Sequence, residues 1–192
     1  SFGKNSVANI FFFCRKIQDQ MSEPLRSSCS FFDCLFFNQY ANAEAIPHID
    51  RIIKKEKLFS RRYIFVPVIE RSHWYLIIFC HIGNKNLRCI LLLDSLGYGN
   101  RSYVEPVIRR FLNHFYERKR PKVTPQDLKS IPLLCPKIPK QKGASECGIY
   151  VLFYTHLFLK MAPEVFKRES FPYFMTPNWF TDDDIKRFAR EI

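Results

Sequence analysis

The sequence contains the run His73-Trp74-Tyr75-Leu76-Ile77-Ile78-Phe79-Cys80, which is apolar almost throughout. A second run of this kind, Cys89-Ile90-Leu91-Leu92-Leu93-Asp94, follows after a turn signal at Gly83-Asn84. Near-continuous apolar runs of this length are typical of strands that are buried on both faces of a sheet. The two runs therefore predict a hairpin of neighbouring strands at the centre of a sheet.

The segments around this hairpin predict one further strand and several helices. The strand is expected at 63–68, where β-branched and aromatic residues dominate and Pro67 favours a strand end or an edge. Apolar patterning predicts helices at about 7–20, 27–40, 45–58, 103–116 and 147–161, and another from Asp182, where Thr181 and Asp184 form a capping pair. Because helices come first and strands and helices mix afterwards, the chain is expected to be an α+β domain.

Length and composition indicate an ordinary folded domain. At 192 residues the chain is expected to be one domain whose core needs no disulfide bonds. Hydrophobic residues make up 47% of it and 20 residues are Phe, which indicates a globule instead of a disordered tail. The seven cysteines are interpreted as reduced thiols of an intracellular protein, because their number is odd and several lie in apolar runs. No apolar stretch reaches the roughly 18 residues of a membrane span, and no signal peptide is evident.

The formal net charge of +12 bears on the partners of the protein. A strong positive charge favours binding to nucleic acid, and equally binding to an acidic protein. Basic residues concentrate at 51–57, at Arg61-Arg62 and at 118–122, and a solvated surface is the ordinary explanation for such runs. No recognisable nucleic-acid-binding motif accompanies them. Charge alone therefore does not choose between these two classes of partner.

A polar loop carries one cysteine to the start of an apolar helix. Its sequence is Gln141-Lys142-Gly143-Ala144-Ser145-Glu146-Cys147-Gly148, and the apolar run Ile149-Tyr150-Val151-Leu152-Phe153-Tyr154 follows. The first turn of a helix has backbone N–H groups without intrahelical partners, and the helix dipole favours negative charge there. A thiolate in that position has its pKa lowered from the free value of about 8.5. Cys147 is therefore a candidate nucleophile.

Two further residues are predicted to meet Cys147 at one edge of the sheet. His73 begins one buried strand and Asp94 ends the next, and these ends lie together if the strands are antiparallel neighbours. His73 can then take the thiol proton while Asp94 orients the imidazole. Gln141, together with the backbone N–H of Cys147, can donate to an oxyanion. Each residue alone has an ordinary structural explanation, as a buried small side chain, a strand edge or a turn.

The motifs His73-Trp74, Asp94-Ser95 and Gln141-x-x-x-x-x-Cys147-Gly148 together resemble the SUMO-specific cysteine protease family, the Ulp/sentrin-specific group. Other stretches extend the resemblance from about residue 10 to 180, and the last two are typical of plant-type members. They are Phe31-Phe32-Asp33-Cys34-Leu35-Phe36-Phe37, Leu58-Phe59, Tyr63-Ile64-Phe65-Val66-Pro67-Val68, Leu93-Asp94-Ser95-Leu96, Ala162-Pro163-Glu164 and Asn178-Trp179-Phe180. The departures from the family pattern are Ser72, Tyr75, Lys140 and Glu146. None of them removes a catalytic group.

The resemblance implies a papain-like α+β fold with a central mixed β-sheet flanked by helices, as one cysteine protease catalytic domain over 1–192. It implies hydrolysis after the C-terminal Gly-Gly of SUMO, by precursor maturation or by cleavage of the isopeptide bond, without a cofactor or a metal. Carried over by position, the nucleophile is Cys147, the base is His73 and the orienting carboxylate is Asp94. The oxyanion donor is Gln141, and Trp74 is the substrate-binding residue that covers the narrow tunnel for the di-glycine. The partners implied are SUMO and SUMO-conjugated proteins.

The resemblance also sets expectations for assembly and location. The protein is expected to be a monomer that binds neither a specific nucleic acid nor a membrane. Its expected location is the nucleus, or the nucleus and the cytoplasm. The first segment of the family often carries a second tunnel tryptophan, which has no clear counterpart at 2–5. The N-terminal edge of the domain is therefore expected to be truncated.

Several alternative functions stay open on the sequence. A protease for another ubiquitin-like modifier, such as NEDD8, would share the Gly-Gly tunnel and differ in its docking surface. A viral or bacterial-effector relative of the same fold is another alternative within the enzyme class. A basic nucleic-acid-binding module is the alternative from another class. A zinc site built from Cys29, Cys34, Cys80, His81 and Cys89 is disfavoured, because the spacings do not match a regular finger.

Overall fold

The computed structural model describes residues 7–40, 46–97, 101–120 and 122–192. The helices are α1 (Val7–Asp19), α2 (Glu23–Ser28), α3 (Phe36–Tyr40), α4 (Ile46–Glu56), α5 (Arg101–Lys119), α6 (Pro125–Lys129), α7 (Cys147–Met161) and α8 (Asp182–Glu191). The strands are β1 (Cys29–Phe31), β2 (Tyr63–Glu70), β3 (His73–Cys80), β4 (Cys89–Leu93) and β5 (Leu133–Leu134). The predicted α+β class is confirmed by this mixture.

Within the described ranges the strands form one five-stranded mixed sheet in the order β1-β2-β3-β4-β5. Strand β3 runs antiparallel to both β2 and β4, whereas β1 runs parallel to β2 and β5 runs parallel to β4. In the register of β3 and β4, Leu76 lies opposite Leu93. The start of β3 and the residue after β4 consequently lie at the same edge, so the predicted hairpin and its central position are confirmed.

Both faces of the central strands are covered, which explains why their sequences are apolar without alternation. Side chains of one parity, such as Trp74 and Leu76, lie in a core with residues from α1, α7 and α8. Side chains of the other parity, such as Tyr75 and Ile77, lie in a second core with residues from α3, α4 and α5. The sheet is therefore the middle layer of the domain, with a helical layer on either side.

Helix α7 lies against the sheet with most of its surface buried, as its apolar sequence predicts. It packs against β3, the central strand. Its observed bounds, Cys147–Met161, agree with the prediction. Because a helix that is hydrophobic on all sides has to be enclosed by other elements, this helix provides a fixed base for the residue at its first position.

The helix predicted at 27–40 is wrong. The structure has the end of α2, the strand β1 and the short helix α3 in this stretch. The Asp33 carboxylate accepts a hydrogen bond from the N–H of Leu35, 2.7 Å away, which forms a turn between strand and helix. The Phe residues are buried by tertiary packing, with Phe32 and Phe36 both against Phe111 of α5. A dense aromatic run indicates burial, but it does not by itself distinguish helix from strand.

Other boundaries differ in smaller ways. The fifth helix is longer than predicted, Arg101–Lys119 instead of 103–116. Pro67 lies inside β2, at a position beyond the last residue that pairs with β1, so the strand has a neighbour there on one side only. The capping pair of Thr181 and Asp184 is confirmed as a reciprocal capping box.

Cysteine pairing, helix length and clusters of metal-binding side chains can be stated for the described residues. All seven cysteines lie in described parts of the chain and are present as thiols, not disulfides. None of the helices in the ranges given above is long and apolar enough to cross a membrane. Those same ranges contain no cluster of three or more His, Cys, Asp or Glu side chains able to hold a metal ion.

Candidate active site

His73 is presented by a tight turn between β2 and β3. The last residue of β2, Glu70, pairs with His73, so only Arg71 and Ser72 form the connection. Both have positive φ angles, 47° and 67°, as a two-residue hairpin turn with matching twist requires. Residues other than glycine seldom adopt this backbone conformation. Here the paired strands on either side of the turn hold it. The turn thereby places the imidazole at the end of the rigid hairpin.

Asp94 is held by the turn that follows β4. Its Oδ1 accepts a hydrogen bond from the N–H of Leu96 at 2.9 Å, and its carbonyl accepts one from the N–H of Gly97 at 3.1 Å. The same Oδ1 lies 2.8 Å from Nε2 of His73. The side chains of His73 and Asp94 are 24% and 7% exposed. The backbone of the turn therefore fixes the carboxylate, and the carboxylate in turn orients the imidazole. Asp94 thus both stabilises the turn and orients His73.

Cys147 lies at the first position of α7 and is 2% exposed. Burial raises the pKa of its thiol, whereas hydrogen bonds from the His73 side chain and from the N–H groups of Trp74 and Gly148 lower it. The net effect holds the pKa of Cys147 below its ordinary value of 9.0. The thiolate is thus stabilised by specific donors in addition to the helix start.

The same contacts favour the charged form of His73. Burial lowers the pKa of His73, but the hydrogen bonds to Asp94 and to Cys147 raise it by a larger amount. The resulting pKa is about 9, above the ordinary value of 6.5. Because Asp94 is bonded to Nε2, the other ring nitrogen, Nδ1, is the one left for Cys147. A lowered cysteine pKa beside a raised histidine pKa favours the thiolate–imidazolium pair over the neutral pair. The structure thus joins three of the predicted residues, Asp94, His73 and Cys147, through hydrogen bonds of the imidazole.

Gln141 lies beside the turn that carries Asp94. Its backbone N–H donates to the carbonyl of Ser95 at 3.0 Å. Its side-chain Nε2 donates to the carbonyl of Gly143 at 2.8 Å, and its Oε1 accepts from the Ser95 hydroxyl. An amide nitrogen carries two hydrogens, so one donor of Nε2 remains beyond the bond to Gly143. The fourth predicted residue is therefore joined to the turn that carries Asp94.

Three residues to which the sequence analysis gave no role in the site hold the loop before Cys147. The hydroxyl groups of Tyr150 and Tyr154, one turn apart on α7, donate to the carbonyls of Lys140 and Pro139. The Glu146 carboxylate accepts from the N–H of Gly143 at 2.8 Å. Two tyrosines four residues apart in an otherwise apolar helix were the available signal, because a buried hydroxyl needs a partner.

Trp74 is entirely buried and belongs to the same apolar core as Cys147. Its backbone N–H donates a hydrogen bond to the thiol. The buried indole Nε1–H has no hydrogen-bond partner in the part of the chain that the structure describes. The position predicted for substrate binding is thus adjacent to the nucleophile, with the ring enclosed.

The electrostatics of the pair predict the pH dependence of Cys147 alkylation. Iodoacetamide reacts with the thiolate, so the rate is expected to rise with pH through a midpoint below 9.0, the ordinary pKa of the thiol. Deprotonation of His73, near pH 9, removes the neighbouring positive charge and adds a second, higher step. Mass spectrometry of the Cys147 peptide measures the rate, and replacement of exposed Cys135 by alanine removes competing alkylation. A single midpoint at or above 9.0 would contradict the ion pair.

Comparison with known proteins gives a consistent family. Residues 6–192 match the family model described as the Ulp1 protease family, C-terminal catalytic domain. The chain is 27% identical over 211 residues to probable ubiquitin-like-specific protease 2A of Arabidopsis thaliana, covering 95% of this chain and 27% of that protein. It is 29% identical to ubiquitin-like-specific protease 1D of the same plant, covering 94% of this chain and 35% of that one. The chain thus spans about a third or less of the length of these relatives.

Solved structures show the same fold. A de-sumoylating protease superposes with a TM-score of 0.68 at 17% identity, covering 97% of this chain and 73% of that chain. The C-terminal protease domain of yeast Ulp1, solved in complex with the SUMO orthologue Smt3, superposes with a TM-score of 0.61 at 22% identity, covering 85% and 69%. The papain-like fold that the sequence implied is therefore confirmed. On the family match over nearly its whole length, the chain belongs to the Ulp1 protease family and corresponds to its C-terminal catalytic domain.

Proposed function

We propose that this domain is a SUMO-specific cysteine protease that hydrolyses the bond after the C-terminal Gly-Gly of SUMO. The substrates are SUMO precursors and proteins joined to SUMO through an isopeptide bond. The observation that carries the proposal is the His73 imidazole, which is hydrogen-bonded both to the Asp94 carboxylate and to the Cys147 thiol. Family membership and the names of the relatives, ubiquitin-like-specific proteases, support the same class of substrate.

In the acylation step, the Cys147 thiolate attacks the carbonyl carbon of the terminal glycine. A C–S bond forms, and the carbonyl electrons move to the oxygen. That oxyanion accepts hydrogen bonds from the Cys147 backbone N–H and from the remaining Nε2 hydrogen of Gln141. When the tetrahedral intermediate collapses, the C–N bond breaks and the His73 imidazolium gives its proton to the leaving amine. The product is a thioester between SUMO and Cys147.

In the deacylation step, water attacks the thioester carbonyl. Neutral His73 now accepts a proton from the water, and Asp94 stabilises the imidazolium that forms. Collapse of the second tetrahedral intermediate expels the Cys147 thiolate and releases SUMO with a free carboxylate. The thiolate–imidazolium pair is thereby restored, so no cofactor is consumed.

Restricted access to Cys147 supports a substrate that ends in glycine. Cys147 is 2% exposed, and Trp74, whose backbone N–H donates to the thiol, is 0% exposed. A substrate chain that reaches the thiolate has to pass beside this indole. Glycine needs the narrowest passage, because it has no Cβ. Trp74 is therefore proposed as the residue that lines the di-glycine passage.

The contacts of the basic residues favour the protease over a nucleic-acid-binding module. Arg118 forms an ion pair with Asp50 at 3.1 Å, and Arg61 donates to the backbone carbonyl of Glu56 at 3.0 Å. Both belong to the basic runs of the sequence, and both have structural contacts. The remaining positive charge suits a faster encounter with an acidic modifier. A monomeric state and a nuclear or cytoplasmic location complete the proposal, as the family resemblance implies.

The test uses activity-based probes that carry a C-terminal electrophile on SUMO, NEDD8 or ubiquitin. The SUMO probe is expected to label the protein at Cys147, and the other two are expected to label it far more slowly. Intact-protein mass spectrometry measures the extent of labelling over time. Preferential labelling by the NEDD8 or ubiquitin probe would show that the modifier is not SUMO. The absence of labelling by all three probes on folded protein would refute the proposed function.

Two variants make the probe result specific. Cys147→Ala is expected to abolish labelling, whereas Cys135→Ala, which removes an exposed thiol, is expected to leave it unchanged. Labelling that survives in Cys147→Ala would locate the reaction at another thiol. A DNA-binding measurement across salt concentrations tests the alternative class, since binding carried by phosphate contacts weakens steeply as salt rises.

A further inference from the structure

The turn after β4 holds Gln141 as well as Asp94. The Ser95 hydroxyl lies 2.5 Å from Oε1 of Gln141, and the Ser95 carbonyl accepts the backbone N–H of the same residue at 3.0 Å. Ser95 is 1% exposed, so its hydroxyl is shielded from water. A buried hydroxyl bonded to one side chain is a stronger restraint than an exposed one, because no solvent competes for the bond.

The chemistry of the neighbours dictates which way the Gln141 amide is turned. The carbonyl of Gly143, 2.8 Å away, can only accept a hydrogen bond, so the atom facing it has to be Nε2. The other amide atom is then Oε1, and Ser95 has to donate to it. The reversed amide would place two oxygens against each other at Gly143. The amide is therefore held at both ends, by Ser95 and by Gly143.

The Gly143 end of this restraint is itself fixed. The N–H of Gly143 donates to the Glu146 carboxylate at 2.8 Å, and that carboxylate also accepts the N–H of Lys142 at 3.2 Å. A Cβ on Gly143 would approach Glu146 to 3.1 Å, so the loop is closely packed there. The Ser95 end is the one that connects directly to Asp94, the preceding residue.

We propose that Ser95 is a positioning residue, which keeps the Nε2 hydrogen of Gln141 directed at the oxyanion and its Oε1 directed away. The inference rests on the proposed function only in assigning the oxyanion role to Gln141. One short turn then controls two separate parts of catalysis. Asp94 orients the base, and Ser95 orients the amide that stabilises the negative charge.

The expected loss of kcat in Ser95→Ala follows from how many of the bonds that hold the Gln141 amide are removed. Loss of one oxyanion donor lowers kcat by roughly 10²–10³-fold. Ser95→Ala removes one of the two side-chain restraints and leaves the donor present, so the expected loss is about tenfold and smaller than that of Gln141→Ala. The Michaelis constant is expected to stay within about twofold of wild type, because the oxyanion forms only after substrate is bound.

The experiment compares two reactions of the same thiol. Iodoacetamide alkylates Cys147 by displacement at a saturated carbon and forms no oxyanion, so Ser95→Ala is expected to leave its rate and pH dependence unchanged. A peptide aldehyde ending in glycyl-glycinal adds to the thiol and creates a tetrahedral oxygen in the oxyanion position. Protection from alkylation measures its affinity, which is expected to weaken about tenfold in Ser95→Ala. Turnover of a SUMO substrate is measured in parallel.

Two further variants separate positioning from a general loss of structure. Ser95→Cys has nearly the same shape with a weaker donor and is expected to give an intermediate aldehyde affinity. In a Gln141→Ala background, Ser95→Ala is expected to have no additional effect, because its action passes through the absent amide. Equal losses in both backgrounds, or an equal loss in alkylation, would overturn the inference.

The outcomes also distinguish this inference from the proposed function. Wild-type turnover of SUMO with an unaffected Ser95→Ala variant would remove the positioning role and leave the function intact. Aldehyde binding that depends on Ser95 without SUMO turnover would support the positioning role and remove the proposed substrate. Failure of the aldehyde to protect wild-type Cys147 would remove the oxyanion site, and the inference with it.

Discussion

Replacing Cys147 with alanine is expected to reduce hydrolysis of SUMO substrates to the uncatalysed background. The thiolate provides the bond-forming atom of the acylation step, and no other thiol shares its contacts with His73 and with the N–H groups of Trp74 and Gly148 in the described chain. Loss of a nucleophile that acts as a unit with its base typically costs on the order of 10⁶ in kcat. Release of a C-terminal fluorophore from SUMO measures the rate.

The same substitution is expected to preserve folding and substrate binding. Alanine occupies less space than cysteine and introduces no polar group into the core around Cys147. The variant should therefore hold SUMO conjugates without cleaving them, which size-exclusion chromatography of the complex tests. The matched control is Cys135→Ala, at the exposed cysteine, which is expected to retain wild-type turnover. Turnover by folded Cys147→Ala at more than a few per cent of wild type would refute the assigned nucleophile.

Replacing His73 with alanine is expected to have the second largest effect. The imidazole serves as acid in one step and as base in the next, and such proton transfer contributes about 10²–10⁴-fold. Its removal also deprives the Cys147 thiolate of the hydrogen bond that lowers its pKa the most. The pKa of Cys147 is then expected to rise towards its ordinary value, so the fraction of thiolate at neutral pH falls. Both effects reduce kcat more than they reduce SUMO binding.

Measured rates of alkylation and turnover separate the two roles of His73. Its replacement should shift the midpoint of the alkylation profile to higher pH. At pH 9, the ordinary pKa of the thiol, much of the thiolate is restored, but turnover should stay below that of wild type because the proton donor is missing. The control is His48→Ala, an exposed histidine on α4, which should change neither quantity. Turnover near the wild-type rate in His73→Ala, or an unchanged alkylation midpoint, would show that His73 is not the base.

Much of the site could be predicted because its signals are local. His73 and Asp94 were located by the ends of two apolar runs, and Cys147 by the junction between a polar loop and an apolar helix. In each case the change from polar to apolar sequence marks where an element begins or ends. The antiparallel hairpin then requires only that consecutive strands pair, which is the usual arrangement.

The wrong prediction at 27–40 has a physical cause of a different kind. A strand such as β1 is stabilised by its pairing with β2, from Cys29 opposite Tyr63 to Phe31 opposite Phe65. That partner is more than thirty residues away in sequence, and tertiary pairing overrides the local pattern. The short strand β5, which pairs with β4, was not predicted from the sequence for the same reason.

The sequence alone determined the layered α+β domain, the buried hairpin and the identity of the residues at its active edge, because apolar runs set which segments are enclosed. Tertiary structure decided how those residues work. The hydrogen bond from Ser95 to Gln141, the turn that holds Asp94 and the enclosure of Trp74 all join groups from separate elements. Hydrogen bonds depend on distance and direction to within fractions of an ångström. Such geometry exists only after the cores on both faces of the sheet have packed.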